Sequence, residues 1–175
     1  MKNLSTFALH DVTLQIEGTI KVSDDINRWK DQVGGVKEAM FYFEDCEGVH
    51  FSGHGTVDGQ GLKWWREVYV RTDFRPHLFK FHEVRDISFQ HMLILNSPSW
   101  SIDFKDCRDV VVHDMTIFID SAVTRGRNGS EHDSVMYPLN TDGIDISAFN
   151  VTIYNMNITN YDDAIVPKPC RSTWR

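Results

Sequence analysis

Three aspartates carry the pattern with the most chemistry in it. Asp142 sits in Asn140-Thr141-Asp142-Gly143, and Asp162 and Asp163 adjoin one another 20 residues further on. Carboxylates held within several ångströms raise one another's pKa, so such a cluster keeps one proton to donate while another member stays ionised. A carboxylic acid that donates and a carboxylate that activates water are the two groups that hydrolysis of a glycosidic bond needs. The spacing is equally compatible with a plainer reading, in which Asp142 serves an Asx-type turn and Asp162-Asp163 is a solvated turn. Which reading holds depends on the elements that position the three residues.

Those elements repeat. FYFEDCEGVHFSGHGTVDG from Phe41, FKFHEVRDISFQHMLILNS from Phe79, IDFKDCRDVVVHDMTIFID from Ile102 and IDISAFNVTIYNMNITN from Ile144 line up as four units. Each opens on an alternating pair: Phe41/Phe43, Phe79/Phe81, Ile102/Phe104 and Ile144/Ile146. A second pair follows at Val49/Phe51, Ile87/Phe89, Val110/Val112 and Val151/Ile153. A third column holds His54/Thr56, Met92/Ile94, Met115/Ile117 and Met156/Ile158. Alternation of period two predicts short strands with one buried face, and Glu47-Gly48, Arg85-Asp86 and Arg108-Asp109 read as the turns between them. No unit buries its apolar face alone, so the units stack as the coils of a parallel β-helix, some five in all. Asp142 lies two residues before Ile144, and Asp162 two before the next expected strand, Ala164-Ile165-Val166. Both then leave the same edge of the stack, with Asp163 beside them. Helical signal is confined to Asp25–Val33 and Leu62–Val70, each a short helix or a loop.

Composition sets the bounds. The chain has 175 residues, 41% of them apolar, and a net charge of -7. No Lys/Arg run interrupts the acidic balance, which argues against a nucleic-acid partner, and the apolar runs are too short for a membrane span. The start, MKNLSTFALHD, does not read as a signal peptide. Asn3, Asn128, Asn150 and Asn157 each open an Asn-x-Ser/Thr triplet, as candidate glycosylation sites of an extracellular protein. Three cysteines (Cys46, Cys107, Cys170) leave at least one without a partner in the chain. The eight histidines show no paired Cys/His spacing of a zinc site, so neither metal nor cofactor is expected.

These residues resemble glycoside hydrolase family 28, the polygalacturonases and related pectin-degrading enzymes. Asn140-Thr141-Asp142-Gly143 matches the family's Asn-Thr-Asp motif, and Asp162-Asp163 in NYDDAIVPKP is similar to its paired aspartates. GTVDGQGLKWW (Gly55 to Trp65) and the Asn-Ser-Pro segment ending RPHLFKFHEVRDISFQHMLILNSPSW (Arg75 to Trp100) resemble further family stretches, in order. The resemblance implies an all-β, right-handed, single-stranded parallel β-helix of the pectin-lyase-like kind. It also implies hydrolysis of α-glycosidic bonds in a pectin-type polyuronide, with inversion and without a cofactor. Carried over, Asp162 would be the general acid, and Asp142 and Asp163 would hold the attacking water. Tyr161 and Ala164 depart from the family's usual flanks of the aspartate pair, which bears on the exact sugar. The family's Gly-His-Gly and Arg-x-Lys motifs do not follow the pair, so residues 1–175 are expected to form a single, monomeric β-helix domain lacking its C-terminal coils. Lys168 is the one nearby candidate for a uronate carboxylate, although a solvated turn lysine is the more common finding. A non-catalytic β-helical carbohydrate-binding protein, or a degenerate family member, is the alternative.

Overall fold

In phase with one another along the chain, the apolar pairs build one stacked interior. The computed structural model describes residues 4–29, 38–67, 75–120 and 138–170. Its strands are β1 (Leu4–Phe7), β2 (His10–Gln15), β3 (Thr19–Lys21), β4 (Ala39–Glu44), β5 (Glu47–Ser52), β6 (Thr56–Asp58) and β7 (His77–His82). They continue with β8 (Arg85–Gln90), β9 (Leu93–Leu95), β10 (Ile102–His113), β11 (Thr116–Phe118), β12 (Ile144–Tyr154), β13 (Asn157–Thr159) and β14 (Ile165–Pro167). Each strand pairs in parallel with the equivalent strand of the next coil. The result is a right-handed parallel β-helix with five coils and the first strand of a sixth among the described residues.

The first column runs β1-β4-β7-β10-β12-β14 and the second β2-β5-β8-β10-β12. β10 and β12 pass through the corner between columns without a break, with one irregularity between Lys105 and Cys107. The third column runs β3-β6-β9-β11-β13. Inward residues stack on their own kind. Phe41 lies on Phe79 with ring centroids 4.7 Å apart, Phe43 on Phe81 at 5.0 Å and Phe51 on Phe89 at 4.4 Å. Corners are turned by residues that tolerate left-handed backbone: Asp11, Gly48, Asp86, Asp109 and Asn150 have φ between 53° and 68°.

Two details differ from the sequence reading. A coil precedes Phe41: Val12 pairs with Val49, Leu14 with Phe51 and Ile20 with Val57. Its first strand is obscured because Thr6 stands opposite Phe43. In the second coil the third column is one residue later than expected, with Thr56 opposite Leu93 and Val57 opposite Ile94. Gly53, at φ 106°, absorbs the extra residue, and a side chain there would collide with the Ile16 carbonyl 2.2 Å away.

The helical segments are short, a 3-10 turn at Ile26–Trp29 and helix α1 at Gly61–Glu67. Trp29, Trp64 and Trp65 are buried. Among the described residues no helix is long and apolar enough to cross a membrane. Cys46, Cys107 and Cys170 form no disulfide with one another.

Ile117 lies fully buried between Ile94 and Ile158. Ile117→Asp should therefore cost about 4 kcal/mol or more, a large part of a domain's stability. Circular dichroism and a melting curve check this; an unshifted melt would overturn the coil register.

Candidate active site

The turn from 138 to 143 joins two coils, and its own polar side chains satisfy it. Thr141 Oγ1 donates to the Pro138 carbonyl at 2.8 Å and accepts the Tyr161 N–H at 3.2 Å. Asn140, at φ 53°, donates its backbone N–H to Asp162 Oδ2 at 3.1 Å. Asp142 is thereby released from turn duty: its Oδ1 is buried and has no hydrogen-bond partner in the protein. Gly143 closes the turn where a Cβ would meet the Ala164 carbonyl at 2.3 Å. Only glycine lets the two coils approach so closely there.

One oxygen from each of Asp142, Asp162 and Asp163 lies within 4.8 Å of the others. The structure thus brings together the three carboxylates that the sequence placed on one edge. The phase differs by one residue. Ile144 pairs with Ile165, and the Gly143 N–H donates to the Asp163 carbonyl at 2.9 Å. Asp163, not Asp162, is consequently the residue one coil beyond Asp142. Asp162 precedes it, its Oδ1 accepting the Asp163 N–H at 3.0 Å.

The three do not share one environment. Asp142 is buried, whereas Asp162 and Asp163 are exposed. Burial, and then the neighbouring Asp145 and Asp162 carboxylates, push the Asp142 carboxyl up to about 7. Asp142 is thus the member that holds a proton near neutral pH.

Behind the cluster runs a ladder of buried charge that the sequence reading missed. Outward positions of the first column stack as Tyr42, Lys80, Asp103 and Asp145. Lys80 pairs with Asp103 at 3.2 Å and with Glu38, and Lys168 pairs with fully buried Asp145. Lys168 Nζ also stands 3.5 Å from the centroid of the Trp100 ring. The charge of Lys168 is therefore committed within the protein. Burial still outweighs Lys168 and raises the Asp145 pKa, and burial lowers that of His77, whose ring centroid lies 4.6 Å from that of Trp100, to about 3. Periodicity pointed to the outward phase of these residues but could not show that it is buried.

Arg75 was also missed. It is buried, and its guanidinium donates to the Pro98 carbonyl at 3.0 Å, the Leu139 carbonyl at 2.6 Å and Asn140 Oδ1 at 3.4 Å. It clamps the turn that carries Asp142 and, through Asn140, reaches Asp162. The glycine-rich stretch supports the same corner: Gly59 and Gly61 donate to the Leu95 and Asn96 carbonyls, and Trp65 Nε1 to the Pro98 carbonyl at 3.2 Å. Of the candidate glycosylation sites, Asn150 and Asn157 are exposed, while Asn3 and Asn128 lie outside the described residues.

The chain is 29% identical over 178 residues to exopolygalacturonase B of Aspergillus niger, across 96% of this chain and 38% of that protein. It spans about two fifths of the length of the curated relatives it matches. Among solved structures it resembles a polygalacturonase from Erwinia carotovora ssp. carotovora, with TM-score 0.76 and 22% identity over 97% of this chain and 48% of that one. An endo-xylogalacturonan hydrolase from Aspergillus tubingensis gives TM-score 0.77 and 23% identity over 93% of this chain and 42% of that one. These two likenesses carry the fold. Residues 1–172 match the profile of the glycosyl hydrolases family 28, and the chain belongs to that family.

Proposed function

We propose that this chain carries the catalytic carboxylates of a glycosidase that hydrolyses α-glycosidic bonds of pectic polysaccharide. The observation that carries the reading is the cluster of Asp142, Asp162 and Asp163, oxygens within 4.8 Å, with one member buried and protonated near neutrality. The proton that Asp142 holds in the free protein passes within the cluster to Asp162, which, exposed to an incoming sugar, donates it to the leaving oxygen. Asp142 and Asp163, one coil apart, hold the water that attacks the anomeric carbon, and the family's inverting outcome is carried over with these roles. The A. niger relative is named for polygalacturonan, and a polyuronide is the substrate class we assign. Exposed Asn150 and Asn157 are compatible with a secreted, glycosylated protein.

Arg75 is a positioning residue in this scheme. It touches no reacting atom but holds the turn from which Asp142 projects and the Asn140 that fixes Asp162.

Asp162→Asn should lower reducing-end release from polygalacturonate by about 10²–10⁴-fold with the circular dichroism spectrum unchanged. Wild-type turnover would overturn the assignment. Arg75→Ala should lower kcat by about 10²-fold with KM little changed, since displacing a reacting group by about 1 Å costs that much. Arg75→Lys should recover only part, because an ammonium cannot span the guanidinium's three acceptors. A third expectation concerns stability. The folded protein keeps on Asp142, up to about pH 7, a proton that the unfolded chain releases near its ordinary 3.8. This group therefore makes folding less favourable as pH rises through that window. Asp142→Asn should be more stable than wild type by about 4 kcal/mol at pH 8, with the gap closing near pH 4. A gap of the same size at both pH values in melting experiments would contradict the buried, proton-holding Asp142.

A further inference from the structure

Outside the carboxylate site, at the corner between the second and third columns, coil stacking assembles a different donor set. His91, at φ 62°, turns the corner after β8, and Asp114 and Asn155, at φ 53° and 50°, turn the same corner in the next two coils. His113 ends β10 with Gln90 and Tyr154 as its register partners. His91 and Asp114 are thus equivalent positions one coil apart, and His113 is the residue before Asp114. One ligand atom from each of His91, His113 and Asp114 lies within 4.8 Å of the others.

We propose that His91, His113 and Asp114 form a binding site for a transition-metal dication of the zinc class. Two imidazoles and one carboxylate are the ligands that zinc, cobalt, nickel and copper ions take, whereas calcium and magnesium take oxygen. Ligand atoms on a metal sit roughly 3.3 Å apart, so small rotations of partly exposed side chains close the present spacing. The supporting contacts are those of a metal-binding histidine. His113 Nδ1 lies 2.7 Å from Asp114 Oδ2, and its ring stacks on Tyr154 with centroids 4.8 Å apart. Asn155 Nδ2 donates to Asp114 Oδ1 at 3.0 Å. The contact with Asp114 and the stack on Tyr154 fix the orientation of the His113 ring.

His54 stacks on the far side of His91 at 5.6 Å, with its Nδ1 3.6 Å from Glu17 Oε2, and it stands outside the three-ligand set. A bound metal would tie the third coil to the fourth across an exposed corner and stabilise the folded stack by mass action.

Titration calorimetry of the purified chain with zinc chloride, together with cobalt absorption spectra, tests this. The expected result is one saturable site per chain at zinc concentrations up to about 100 µM, with a rise in melting temperature. His91→Ala and His113→Ala should each weaken binding by about tenfold or more, while His54→Ala and Asp162→Asn bind as wild type does. No saturable binding would overturn the proposal. So would zinc binding unchanged in His91→Ala and His113→Ala, or lost in Asp162→Asn, which would locate the metal among the carboxylates.

Discussion

Everything in this molecule depends on one constraint: strands of successive coils pair in parallel and in phase, about 4.8 Å apart. Phase turns a repeat in sequence into a contact in space. It lays phenylalanine on phenylalanine inside, left-handed corner residues on one another at the bends, and charge on charge outside. No coil could hold these positions alone, because each buries its apolar face only against its neighbours.

The same constraint makes the electrostatics costly. Outward positions of the first column place Lys80, Asp103 and Asp145 in succession, and these residues are buried. Removing a charge from water is tolerated only where an opposite charge and hydrogen bonds replace the solvent. Lys80 shared between Asp103 and Glu38, and Lys168 placed on Asp145, supply that replacement. Asp142 has no such replacement: burial, and then the Asp145 and Asp162 carboxylates, displace its carboxyl to about 7. Arg75 acts from beneath, through three acceptors on two turns, so the glycine-rich and Asn-Ser-Pro stretches serve the site as scaffold.

Much of this was legible before the fold was seen. The paired Phe and Ile positions are neighbours in the ladder as the alternation predicts, and Ile94, Ile117 and Ile158 stack in the third column. The convergence of Asp142, Asp162 and Asp163 followed from their place just ahead of equivalent strands. Less legible were features that depend on one residue more or less at a corner. The extra residue absorbed at Gly53, and Asp163 rather than Asp162 standing in phase with Asp142, are of this kind. The coil before Phe41 escaped notice because its first strand lacks the Phe-x-Phe pair.

What the amino-acid sequence determined by itself was the period: which residues alternate, which corners accept Asp, Asn or Gly, and which carboxylates recur at one edge. These are local properties, set by side-chain size and backbone tolerance within a few residues. Only the tertiary structure decided what those residues experience. Burial of Asp142, commitment of Lys168 to Asp145, the reach of Arg75 to Leu139 and Asn140, and the meeting of His91 with His113 and Asp114 join residues far apart along the chain. Solvation and Coulomb interaction depend on distance in space, and that distance exists only once the coils are stacked.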